Sequence, residues 1–192
     1  WMGPQPSVAS IAAGVGVEKS APYKALDAVV GKAVSEGRPV HFIKPSRYYN
    51  TMKIASLIGC GDGEVAGKFS LALTKAIISM RLVKEDCEIA VLDDAADLGY
   101  EMHSVARDSI RTGILEQEIV GKMEAVTLSK GWGVSFATIL TQHGETLHNH
   151  LHDKIIEPGK LIVIDAGAEN NMHYASDFTR TYPTSGRFTT KQ

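Results

Sequence analysis

The chain has 192 residues, of which 44% are hydrophobic, and it carries 20 basic and 22 acidic side chains. This composition is typical of a globular chain that buries a hydrophobic core, and it excludes a disordered or fibrous protein. A net charge of −2 without a long basic run excludes the positive surface that binds nucleic-acid phosphates, so no nucleic-acid partner is expected.

The first 68 residues predict a small α/β segment. Ser7 is the predicted N-cap of a short helix, and apolar residues at helical spacing between 26 and 34 predict a second one. The sequence "VHFI" at 40–43 predicts a short strand, and a third helix is expected over 50–58. A glycine-rich stretch at 59–67 then interrupts any regular pattern.

Helices are predicted between residue 69 and Gly131. A long helix over about 85–108 begins with acidic side chains, which are favourable at a helix N-terminus. A second helix is expected to end near Gly131. The predicted buried stripes comprise Ile89, Leu92, Ala96, Met102 and Val105 on the first helix and Ile119, Met123 and Val126 on the second.

The hydrophobic period changes after Gly131. Residues 134–141 and 161–167 are short and rich in β-branched side chains, and residues 174–182 alternate like a partner strand. Helices followed by a sheet predict an α+β fold. The longest strongly apolar run, "LIVI" at 161–164, is far shorter than the ~18 residues of a membrane span, so no membrane partner is expected.

One aspartate ends the predicted strand that contains the apolar run, and a second lies within the next predicted strand. Asp165 follows the apolar run, and Asp177 precedes "FTRT" on the next strand, so a hairpin would bring the carboxylates face to face. Facing carboxylates repel each other, and a divalent cation between them would remove that cost. A carboxylate paired with Arg180, or one that caps a turn, explains the same spacing.

Three histidines alternate in "LHNHLH". His148, His150 and His152 would share one face of an extended segment and could bind zinc. A solvated histidine-rich loop would give the same pattern, and we expect His150 and His152 to be ordinary loop residues. The two cysteines, Cys60 and Cys87, have no metal-type spacing and suit a reducing compartment. Because no signal peptide precedes the first helix, a cytoplasmic location is expected.

The ordered motifs resemble those of one family. The stretches "SFATIL", "LH", "IIEPGKLIVIDAGAE" and "YASDFTRTYPTSGRFTTKQ" resemble the first half of the pita-bread catalytic domain of Xaa-Pro aminopeptidases, aminopeptidase P and prolidase relatives. This resemblance covers residues 69–192, and residues 1–68 resemble the end of the creatinase-like N-terminal domain of those enzymes. It implies a fragment that lacks the second half of the catalytic domain.

The resemblance implies roles for matching residues. Asp165 and Asp177 match two ligands of a dinuclear centre that holds divalent ions, usually Mn²⁺, with Zn²⁺ or Co²⁺ as alternatives. His148 matches a catalytic histidine near the scissile peptide, and Thr179 matches a position that supports the metal-binding carboxylate by hydrogen bonding. The family completes five ligands with a histidine and two glutamates that are absent from this chain. Phe136 stands where many relatives have tyrosine.

The implied activity is that of a metal-dependent aminopeptidase. It would release the N-terminal residue from peptides with proline in the second position, through a hydroxide that bridges the ions. The alternatives are a non-catalytic pita-bread module that binds peptides or proteins and another enzyme of the fold, such as prolidase or creatinase. Xaa-Pro peptides are the expected substrates. The open sheet of a half-domain predicts a homo-oligomer or a complementary fragment as partner.

Overall fold

The computed structural model describes all residues, Trp1–Gln192, and it contains two compact units. The first unit is Trp1–Val83 and the second is Lys84–Gln192. The division falls after Val83 because the helix Leu71–Leu82 belongs to the first unit. The sequence-based domain boundary at 68/69 stays a prediction.

The first unit is helical. Ser7 caps its first helix as predicted, because its hydroxyl accepts a hydrogen bond from the Ser10 amide. Ser70 caps the last helix in the same way through the Leu73 amide. Its elements are α1 Val8–Gly14, a 3₁₀ turn Tyr23–Ala25, α2 Leu26–Ser35, α3 Tyr48–Ile58, α4 Asp62–Lys68 and α5 Leu71–Leu82.

The strand predicted at 40–43 is wrong. The segment pairs with no other strand, although the Ser70 amide donates a hydrogen bond to the Phe42 carbonyl at 2.9 Å. A β-strand requires a partner, and the first unit supplies none. Val40 and Phe42 are only half-buried and Ile43 is exposed, so the short apolar pattern produced neither a paired strand nor a buried one.

The second unit opens with two helices close to their predicted positions. They are α6 Asp86–Ser109 and α7 Glu116–Lys130. The stripe predicted for α7 is buried at Ile119 and Met123. On α6 the predicted Met102 is fully buried, but Ile89 is 46% exposed. The residues that α6 buries are Ala95, Leu98, Gly99, Met102, His103 and Ala106.

Five short strands follow the helices. They are β1 Gly133–Val134, β2 Ile139–Thr141, β3 Leu161–Ala166, β4 Ala168–Glu169 and β5 Phe178–Pro183. Strands β2, β3 and β5 form an antiparallel sheet with β3 in the centre, and β1 pairs with β4 in a separate ribbon. The predicted α+β order is confirmed.

One face of the central sheet packs on the helices. Alternation along β3 buries Ile162, Ile164 and Ala166 completely, and these side chains join Met102 of α6 and Met123 of α7 in one core cluster. The residues between them, including Asp165, therefore point away from the helices. None of the helices has the length and apolarity needed to cross a lipid bilayer.

A buried carboxylate holds the sheet to the loop that carries the histidines. Glu116 at the start of α7 is fully buried, and its Oε1 accepts from the Gln142 amide at 2.9 Å. The Gln142 side chain in turn donates to the Ile155 carbonyl at 2.7 Å and accepts from the Glu157 amide at 2.9 Å. These bonds fix both ends of the 143–154 segment.

Glu116→Gln is expected to change the pH dependence of stability. Burial raises the pKa of the Glu116 carboxyl, while the Gln142 amide partly opposes the shift. The protonated form is therefore favoured in the folded state, and its stabilising contribution is lost as the pH rises above the ~4.3 of an unfolded glutamate. The free energy of unfolding should fall less between pH 4 and 7 in Glu116→Gln than in the parent chain. Urea titrations at several pH values measure the free energy of unfolding, and Asp97→Asn at an exposed position is the control. If the parent chain and Glu116→Gln show the same pH dependence of stability, the raised pKa of Glu116 is contradicted.

Candidate metal centre

Asp165 occupies the centre of the sheet. It lies on β3 between Ile139 of β2 and Thr179 of β5, its partners in the two antiparallel ladders. Its side chain is half-buried, and its Oδ1 is buried without a hydrogen-bond partner in the protein. A buried carboxylate oxygen is normally hydrogen-bonded, so this atom is available to a ligand.

Asp177 lies immediately before β5 rather than within it. Alternation places it on the same face as Thr179, and its side chain is exposed. Asp165 and Asp177 line one open cavity of about 330 Å³. The prediction that the two carboxylates share a cavity is confirmed. Their role as metal ligands stays a prediction.

A tight backbone contact sets the position of Asp177. The Gly167 backbone packs directly against Ser176, whose amide donates to the Ala168 carbonyl at 2.9 Å. The Ser135 hydroxyl donates to the Ser176 carbonyl at 2.7 Å, and the Ser135 amide donates to the Gly167 carbonyl at 3.0 Å. Glycine at 167 thus lets the chain beside Asp177 approach the end of β3.

The turn between the aspartates is closed by backbone hydrogen bonds. The Asn170 amide donates to the Tyr174 carbonyl, and the His173 amide donates to the Asn170 carbonyl, each at 2.9 Å. His173 takes a left-handed conformation with φ 62°. This is a three-residue hairpin loop closed by a bulge.

The three histidines of "LHNHLH" do not act together. His148 and His150 line the cavity with the aspartates, whereas the Nδ1 of His152 lies 3.1 Å from the Leu140 carbonyl oxygen. No group of three or more His, Cys, Asp or Glu side chains is arranged to hold a metal ion. The triple-histidine zinc site is therefore wrong, and the position of His150 at the cavity was missed by the sequence interpretation.

The alternative pairing of an aspartate with Arg180 is also wrong. Arg180 lies opposite Ile164 in the ladder, on the face turned away from Asp165. Its guanidinium donates to the Thr179 carbonyl at 2.8 Å and lies 5.7 Å from the Phe178 ring centroid. The carboxylates consequently have no cationic partner from β5.

Two carboxylates fit a divalent cation in part. Oxygen ligands suit Mg²⁺, Ca²⁺ and Mn²⁺, and the unpartnered Oδ1 of Asp165 is such a ligand. The Thr179 hydroxyl faces the same side but makes no hydrogen bond to that oxygen, so its supporting role stays a prediction. The side chains present form part of a metal centre, and the donor set is incomplete.

Several named proteins are similar to this chain. A probable Xaa-Pro aminopeptidase from Aspergillus niger is 36% identical over 62% of the chain, and the Xaa-Pro aminopeptidase of Escherichia coli is 35% identical over 59%. A probable Xaa-Pro aminopeptidase from Metarhizium acridum is 29% identical over 100% of the chain. The chain spans only 26% to 37% of the length of these relatives.

Solved structures show the same fold. A zinc-substituted aminopeptidase P from Escherichia coli in complex with product aligns with 100% of this chain and 45% of its own, with a TM-score of 0.79 and 25% identity. Proline aminopeptidase P II from Yersinia pestis aligns with a TM-score of 0.76 over 98% of this chain and 45% of its own, at 24% identity. The predicted fold, a partial pita-bread domain with a preceding segment, is confirmed.

A family model matches the part of the chain that contains the cavity. The match covers residues 90–192, which include most of α6, all of α7, the aspartates and the histidine loop. This range is more than half of the 192 residues. The chain therefore belongs to metallopeptidase family M24.

Proposed function

We propose that this chain forms the first half of the catalytic centre of a metal-dependent aminopeptidase that releases the residue preceding proline. One observation carries the proposal: Asp165 and Asp177 line one cavity together with His148, and the buried Oδ1 of Asp165 has no partner in the protein. The names of the relatives support the same substrate class.

The chain's own residues have distinct tasks in this proposal. Asp165 and Asp177 would hold two divalent ions, for which we propose Mn²⁺. When bound, such ions lower the pKa of a water molecule and polarise a peptide carbonyl. His148 lies on the same cavity and would donate a hydrogen bond to the peptide oxygen on which charge develops. Thr179, opposite Asp165, would steady its carboxylate.

The cavity offers an apolar wall beside the carboxylates. Phe136, Ala137 and Ile139 line it together with the aspartates. Proline has an apolar ring and no amide hydrogen, so a peptide with proline in second place requires contact area rather than a hydrogen-bond acceptor at that residue. These side chains support Xaa-Pro peptides as substrates.

The sheet also supports a protein partner. Strand β5 pairs with β3 on one side only, so its other edge presents unpaired backbone groups. Exposed edges of this kind pair readily with another chain. We propose that a second copy of the chain or a complementary polypeptide pairs with this edge.

We also propose a cytoplasmic location for the protein.

Metal binding tests the centre directly. Titration of the chain with Mn²⁺, followed by the electron paramagnetic resonance of the free ion, should show weak binding that Asp165→Asn or Asp177→Asn reduces about tenfold or more, because each change removes one of two charged ligands. Asp97→Asn is the matched control, since Asp97 is exposed on α6. Equal affinity in all four proteins would contradict the proposal.

A further inference from the structure

Two imidazoles face the cavity without a protein partner. Four of the seven histidines have a ring nitrogen within hydrogen-bond distance of a protein oxygen. These are His103, His143, His152 and His173. His148 and His150 are not among them, and both line the cavity that contains Asp165 and Asp177. Their ring nitrogens are therefore available to whatever occupies the cavity.

We propose that His150 binds the peptide beside His148, on the cavity in which Asp165 and Asp177 would hold the ions. This inference rests on the proposed function. It replaces the expectation that His150 is an ordinary loop residue. A neutral imidazole supplies one donor and one acceptor, so two of them on one wall can hold both an oxygen and an N–H of a peptide.

The backbone of the loop explains why His150 faces the cavity and His152 does not. His148 takes a left-handed conformation with φ 59°, which is uncommon for a residue other than glycine. The Asn149 side chain then accepts from the Leu151 amide at 2.9 Å and closes a tight turn. The Nδ1 of His152 lies within hydrogen-bond distance of the Leu140 carbonyl oxygen, and this contact holds the end of the turn against β2. His148 and His150 remain between these two fixed points.

His150 is a substrate-facing residue in this arrangement and not a ligand. The side chains that surround the cavity form no group of three or more metal-binding residues. The cavity has a volume of about 330 Å³, which is more than an ion occupies. His148 and His150 line it together with the aspartates, and a peptide would lie among these side chains.

Paramagnetic broadening by Mn²⁺ tests the position of His150 without any activity assay. Weak, exchanging Mn²⁺ broadens the signals of protons near its site, and the imidazole Hε1 signals can be assigned with His148→Gln and His150→Gln variants. We expect the Hε1 signals of both His148 and His150 to be lost at Mn²⁺ concentrations that leave those of His143 and His173 visible. Mg²⁺ at the same concentrations controls for effects of charge.

A double variant, Asp165→Asn with Asp177→Asn, links the broadening to the carboxylates. Both signals should stay sharp in that protein. The inference is overturned if His150 broadens no more than His173 while His148 is lost, and also if the loss persists in the double variant. If neither histidine nor the backbone amides of the two aspartates respond to Mn²⁺, the proposed metal centre itself fails, and the inference fails with it.

Discussion

Gly167→Ala is expected to unfold the Lys84–Gln192 unit or to leave it only marginally stable. A Cβ at residue 167 would lie 1.8 Å from the Ser176 carbonyl oxygen and 2.5 Å from the Ser135 hydroxyl oxygen. Both distances are far inside van der Waals contact. The obstructing carbonyl belongs to the backbone of Ser176. It cannot move aside, because the Ser135 hydroxyl donates to that carbonyl and the Ser176 amide donates to the Ala168 carbonyl.

The expected loss exceeds about 4 kcal/mol, which is exceptional for a point substitution and here follows from overpacking against fixed backbone. It is comparable with the whole stability of many domains, which is roughly 5–15 kcal/mol. Urea unfolding followed by circular dichroism measures the effect. If the variant retains its fold, the amide signals of Ser176 and Asp177 should shift, because that segment must separate from β3.

Gly121→Ala provides the matched control. Gly121 lies within α7 and is exposed, and a Cβ at this position would have no neighbouring atom within 4 Å. Alanine should raise the free energy of unfolding by about 0.5–1 kcal/mol, because glycine is a poor helix residue. Similar changes in the two variants would contradict the close approach at Gly167.

Local signals in the sequence were sufficient for the helices of the second unit. Residues at helical spacing and acidic side chains near the start of α6 placed it within a residue or two of its observed bounds. The buried stripe of α6 was harder to predict. Its N-terminal turn, including Ile89, extends beyond the core cluster, and the length of a helix does not show how much of it the sheet covers.

The aspartate pair was predictable because strand alternation acts over short distances. An antiparallel hairpin aligns Asp165 with Thr179 and leaves Asp177 on the same face, which follows from a period of two. The same rule assigns Arg180 to the opposite face, and its pairing with an aspartate could have been rejected from the sequence.

Strand alternation could not predict the conformation of the histidine loop. An extended strand would have put His148, His150 and His152 on one face, but the left-handed backbone at His148 and the bond between His152 and Leu140 separate them. Leu140 lies on β2, 12 residues before His152, and the two meet only because the loop folds back onto the strand. The strand predicted at 40–43 failed for the converse reason, since it lacks a distant partner.

The 192-residue chain supplied with Mn²⁺ is expected to release no N-terminal residue from an Xaa-Pro peptide. The chain places two carboxylates on the cavity, and no group of three or more metal-binding side chains exists. The resemblance to Xaa-Pro aminopeptidases implies five ligands. Affinity and coordination number both depend on the count of charged ligands, so ions should bind weakly and without the fixed geometry that activates water.

A peptidase assay on material of verified mass decides this expectation. The intact Xaa-Pro aminopeptidase of Escherichia coli, a relative of which the chain spans 26%, serves as the positive control. The Asp165→Asn chain, purified identically, defines the background from contaminating peptidases. We expect the parent chain to match that background at every Mn²⁺ concentration, and addition of a polypeptide that supplies the missing ligands to raise the rate above it. Turnover by the parent chain alone that Asp165→Asn abolishes would show that two carboxylates suffice, and the five-ligand requirement would be wrong for this protein.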